Sequence, residues 1–132
     1  MGAFDGFKVL TFDIVGTCID FEKGILDGVR KIGGAAAATL SDDDIFKPYL
    51  EARKKFSGQA SVVMRDVFMD TARQLGLPHG EAAGNAYFWH FFQCPAFPDS
   101  ADALRRLRQR FRLVAMTNYD RVAYTACANK LG

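Results

Sequence analysis

Long apolar runs are missing from this sequence. No uninterrupted stretch reaches the ~20 residues that a membrane helix needs, so no membrane partner is expected. Charge of one sign is scarce as well. Seventeen Lys and Arg stand against fifteen Asp and Glu, a formal net charge of +2. That is too little to imply a nucleic-acid partner. Cysteine is sparse, odd in number and widely spaced, at Cys18, Cys94 and Cys127. These read as reduced thiols of a cytoplasmic protein, and they lack zinc-site spacing. The first ten residues carry Asp5 and Lys8 and lead straight into a strand pattern, so they do not read as a signal peptide. Repeats are absent, and the one low-complexity stretch is the short Ala35–Ala38.

What is present is the balance of a soluble globular chain. Its 132 residues are 49% hydrophobic and 24% charged, which argues against disorder. Residues 7–15 are almost wholly apolar up to Asp13 and rich in β-branched and aromatic side chains, the pattern of a buried parallel strand. Gly16-Thr17 break it. From 21 to about 93 the period is helical. Ile25, Val29 and Ile32 share a face, and Gly33-Gly34 stop that helix. Ser41 followed by three aspartates is a helix-start signal. Pro48 suggests that the helix proper begins near it and runs to Phe56. Helices are expected over 62–75, with Gly76 at its end, and over 81–93. Pro95 and Pro98 mark a connection. Ser100 is placed to cap a helix with Ala103, Leu104 and Leu107 facing inward. Residues 112–117 read as a second buried strand, and a last helix runs to Leu131. Two parallel strands that bracket a helical insertion indicate an α/β architecture.

Asp13 falls at the carboxyl end of the first strand, where ligands bind in open parallel sheets. A carboxylate there is costly to desolvate without a role. The competing reading is an aspartate that caps the turn to Gly16-Thr17. The second strand ends likewise in Thr117 and Asn118 before a helix start, an arrangement suited to an anion or to an ordinary cap. Two polar strand ends facing one crevice carry more weight than either alone. The aromatic group Tyr87, Phe88, Trp89, Phe91 and Phe92 could line a pocket, but packing is the favoured reading. His90 reads as an interface residue. The arginine run from Arg105 to Arg112 reads as a solvated face.

Phe-Asp-Ile-Val-Gly-Thr at 12–17 resembles motif I of the haloacid dehalogenase (HAD) superfamily, and Val-Ala-Met-Thr-Asn at 114–118 resembles its motif II. Residues 95–107 are similar to the family's return from cap to core. The resemblance implies a partial Rossmann-type α/β core, 1–20 and 95–132, with a four-helix cap, 21–94, inserted between strands one and two. It implies that Asp13 is a nucleophile forming an ester intermediate. Thr17 would support the motif I loop. Ile14, Val15, Thr117 and Asn118 would contact a small anionic substrate. Phosphatases of the superfamily carry a second aspartate at the position of Val15 as general acid and base. A halide, unlike an alkoxide, needs no proton as it leaves. The resemblance is therefore closest to the type II 2-haloacid dehalogenases, although these usually have tyrosine where this chain has Val15. That reading needs no metal or cofactor. A magnesium-dependent phosphatase or phosphonatase is the alternative, and Val15 does not exclude such a metal. Arg53 is the candidate from the cap for holding halide, against a solvated face shared with Lys54 and Lys55.

The lysine and acidic motifs of the family have no counterpart here, since Lys130 lies in the helix directly after motif II. A truncated chain, inactive by itself, is expected, with a homo-oligomer or domain swap through an open sheet edge as a further possibility. A non-catalytic binding module is the third reading.

Overall fold

The computed structural model describes residues 2–132. Two short strands, β1 (Val9–Phe12) and β2 (Arg112–Ala115), pair in parallel, with Leu10 opposite Leu113 and Phe12 opposite Ala115. Between them the chain forms α1 (Phe21–Gly33), α2 (Ala35–Ala38), α3 (Asp42–Lys55), α4 (Ala60–Gln74), α5 (Glu81–Phe91) and α6 (Ser100–Arg108). Helix α7 (Arg121–Ala128) follows β2. The architecture is the expected α/β one: a partial parallel core with helices inserted between its first and second strands. No helix among the described residues is long and apolar enough to cross a membrane.

The helical region carries most of the core. Ile25 and Val29 of α1, Ile45 and Tyr49 of α3, Met64, Val67 and Phe68 of α4, and Tyr87 and Phe91 of α5 are all buried. Phe68 stacks on Tyr87 at 5.4 Å between ring centroids and meets Phe91 edge-on at 6.4 Å. Helix α1 approaches the end of α5 through two glycines. A Cβ on Gly24 would lie 2.2 Å from Cys94 Sγ, and one on Gly28 would lie 2.7 Å from the His90 ring. His90 is thus a packing residue at the α1–α5 contact.

Three local expectations are corrected. Helix α3 begins at its Ser41 cap rather than at Pro48. Ser41 and Asp44 close a capping box, and Pro48 sits inside the helix. Burial of Ile45, Tyr49 and Ala52 offsets the hydrogen bond that the proline forfeits. Asp99, not Ser100, occupies the N-cap position of α6, and Ser100 is its buried first residue. Both strands are shorter than their apolar runs and are covered on one face only. Helices α6 and α7 flank the face of Phe12, Leu113 and Ala115. Val9, Val114 and Met116 lie exposed on the other.

Candidate active site

Parallel pairing aims the carboxyl ends of β1 and β2 the same way, so Asp13 and Thr117-Asn118 emerge side by side. After Asp13 the chain coils tightly. The Ile14 carbonyl accepts the amides of Thr17, Cys18 and Ile19, at 3.3, 2.8 and 2.9 Å. Gly16 takes a positive φ of 84°, the left-handed region that glycine enters without strain. This turn brings the Thr17 hydroxyl within 3.4 Å of Asp13 Oδ2. The buried Cys18 thiol points at the Asp13 carbonyl, 3.6 Å away. Burial, then the Asp13 charge, push that thiol's pKa up. After β2, the Thr117 hydroxyl accepts the Tyr119 amide at 3.1 Å. Asp120 accepts from Val122 and Ala123 and so starts α7.

The inserted helices close over these strand ends. A cavity of about 290 Å³ lies between the two parts, lined by Asp13, Val15, Thr117, Asn118 and Tyr119 on one side. Phe21, Tyr49, Arg53, Met64 and Phe91 line the other. Asp13 is its one carboxylate, and Arg53 its one basic side chain. The Arg53 guanidinium donates to the Phe56 carbonyl at 2.9 Å, which steadies it on the wall. The two tyrosines are neutral hydroxyls. Burial pushes Tyr49 up to about 12, and Tyr119 further still. Among the described residues, no three His, Cys, Asp or Glu side chains cluster closely enough to hold a metal ion.

Five residues singled out from sequence thus meet at one cavity: Asp13, Val15, Arg53, Thr117 and Asn118. Thr17 stands behind Asp13. Ile14 does not join them. Alternation along the chain sends its side chain the opposite way, into the groove between α6 and α7, where it is 2% exposed. Of the aromatic cluster only Phe91 reaches the cavity, while Tyr87 is buried in the helical core and Trp89 is exposed. Sequence reasoning missed Phe21, Tyr49, Met64 and Tyr119. Tyr49 and Met64 read as core positions of α3 and α4, Phe21 opens α1 and Tyr119 sits in the turn before α7, and only the closure of the helices over the strands makes them a wall. Lys130 lies elsewhere, donating to the carbonyls of Phe92 and Cys94.

A search of curated protein sequences finds no match. Among solved structures the chain resembles a dehalogenase at 17% identity and a TM-score of 0.72, covering 96% of this chain and 57% of that one. It resembles the L-2-haloacid dehalogenase from Xanthobacter autotrophicus at 18% identity and a TM-score of 0.67, covering 96% and 52%. The magnesium-bound HAD-hydrolase YfnB from Bacillus subtilis gives 17% identity and a TM-score of 0.67, covering 94% and 60%. The chain therefore spans somewhat more than half the length of these proteins, whose fold it shares. The sequence matches the haloacid dehalogenase-like hydrolases over residues 7–132, and the chain belongs to that family.

Proposed function

We propose that this chain carries the nucleophile and the anion-binding wall of a hydrolase that cleaves the carbon–halogen bond of a small 2-haloacid. One observation carries the reading: Val15 lines the cavity two residues after Asp13, and no second carboxylate joins them. A site built this way has a nucleophile but no second carboxyl group to protonate an alkoxide, and a departing halide needs no proton. One oxygen of Asp13 attacks the carbon bearing the halogen. A carbon–oxygen bond forms as the carbon–halogen bond breaks, and halide leaves with the bonding pair. Water then adds to the aspartyl carbonyl. The acyl–oxygen bond breaks, the carboxylate returns, and a 2-hydroxy acid and a proton are released. Thr17, beside Oδ2, orients the carboxylate. Arg53, with Thr117 and Asn118, holds the substrate's negative charge or the departing halide. Val15, Phe21, Met64 and Phe91 keep the reacting carbon dry.

The likeness to a magnesium-bound HAD-hydrolase favours a second reading, phosphoryl or phosphonate hydrolysis. The cavity side chains would give magnesium one carboxylate ligand, so substrate oxygens, water and backbone carbonyls would have to complete its shell. No lysine lines the cavity. We further propose that full turnover by a cytoplasmic enzyme of this type uses additional polypeptide against the open sheet, with a second copy of the chain as the simplest source. Chloride release from 2-chloropropionate tests the dehalogenase reading. It should persist in chelator, vanish in Asp13→Asn, and leave a trapped ester on Asp13 detectable by peptide mass. Magnesium-dependent phosphate release with no chloride release would sink it.

A further inference from the structure

The two walls of the cavity belong to separate parts of the chain. Gly58, Ala60 and Met64 lie around the start of α4, and Thr117, Asn118 and Tyr119 lie just before α7. One side chain joins these segments. Asp120 Oδ1 accepts from the amides of Val122 and Ala123, at 3.0 and 3.1 Å. Its Oδ2 accepts from the amide of Ser61, 59 positions away in the chain, at 2.8 Å. Helix α4 has no side-chain cap of its own, because Gln59 at its N-cap makes none. The first-turn amides of a helix need an acceptor, and for Ser61 that acceptor comes from across the cavity. Two helix N-termini thus share one half-buried carboxylate, and both dipoles favour its charge. The far end of α7 is also tied down, by Lys130 to the Phe92 and Cys94 carbonyls at 3.3 and 2.5 Å. Tyr119, next to Asp120, meets Phe91 edge-on at 5.8 Å.

We propose that Asp120 is a positioning residue, a pin that holds the helical wall at 58–64 against the strand-end wall at 117–119 and so sets the width of the cavity. It touches no reacting atom. The proposal rests on the cavity being the site, not on which bond is broken there. With the pin in place, Met64 and Ala60 line one cavity with Thr117 and Asn118. With it broken, the start of α4 can swing away from Asp13 while α7 stays capped.

Asp120→Asn separates these roles. The asparagine oxygen still caps α7, and asparagine is a good N-cap residue. Its amide nitrogen, however, faces the Ser61 N–H donor to donor. Asp120→Ser keeps the α7 cap and loses the reach to Ser61, and serves if the first variant folds poorly. Hydrogen exchange of the full chain, read by mass spectrometry of peptides over 58–64 and 121–128, is the test. The expected result is exchange about tenfold faster or more over 58–64, with 121–128 unchanged. Unchanged exchange over 58–64, or equal loosening of both peptides, would overturn the pin. Chloride release is measured separately, so failure of the dehalogenase reading leaves this outcome legible.

Discussion

Tyr87 is 1% exposed, and its hydroxyl is buried with no hydrogen-bond partner. Its ring stacks on Phe68, so the aromatic body stabilises the core while the oxygen costs desolvation. An unpaired buried hydroxyl costs about 1–3 kcal/mol. Tyr87→Phe keeps the ring and removes the liability. It should leave stability unchanged or raise it by up to ~1 kcal/mol, read as the urea midpoint of the full chain, and a loss above that size would mean the hydroxyl has a partner. The same scale separates what sequence could and could not reveal about the site. Asp13, Thr117 and Asn118 are legible because polar residues interrupt apolar strands at their ends. Ile14 is misleading because its backbone belongs to the motif while its side chain turns into the opposite groove. Tyr49 and Met64 look like core residues, which they also are. Their place on the cavity depends on how α3 and α4 dock, a tertiary fact that no local spacing encodes.

At the scale of elements, helix stops are more readable than starts, since Pro48 masks the start of α3 and Asp99 rather than Ser100 holds the N-cap position of α6. Ser41 and Asp44 form the capping box that the Ser-Asp-Asp-Asp run announces, and Gly76 takes a left-handed φ of 67° after α4. Strand length was less readable, since the apolar run at 7–15 continues past the paired residues into the Ile14 turn. The α1–α5 contact shows why composition alone misleads. Glycine weakens a helix by about 1 kcal/mol relative to alanine, yet α1 carries Gly24 and Gly28 on its buried side. Each makes room for the neighbouring chain. At Gly24 a Cβ would meet not only Cys94 Sγ but also Cys94 Cα at 3.0 Å, which is backbone and cannot rotate away. Gly24→Ala should therefore destabilise by roughly 1–3 kcal/mol despite its better helix propensity. Gly84→Ala, in α5, meets only the flexible side chains of Met69 and Arg65, and should cost less. Thermal melts of the two variants check the order, and Gly24→Ala melting at or above the parent would refute the packing argument.

At the scale of the whole molecule, packing is uneven. The inserted helices enclose a continuous core, whereas β1 and β2 form a two-stranded sheet with one bare face and, among the described residues, no further strand beside either. Val9 is 48% exposed, Val114 38% and Met116 62%, with Phe7 at 63% beyond the strand. Two strands alone seldom hold a sheet in water. Unpaired strand edges beside exposed apolar side chains template further pairing. The expected consequence is a concentration-dependent association of this chain through the sheet. Val9 and Met116 project from the bare face and touch neither the helical core nor the cavity, so they can be changed without disturbing either. The paired substitution Val9→Lys and Met116→Lys places like charges on that face, and a second copy would have to bury them. Sedimentation velocity over a hundredfold range of concentration should show the parent chain growing beyond 14.6 kDa and the double variant remaining monomeric, with the same far-UV circular dichroism. Equal association of the two chains would move the contact away from the sheet. A monomeric parent at every concentration would remove the second copy as the cover of the sheet.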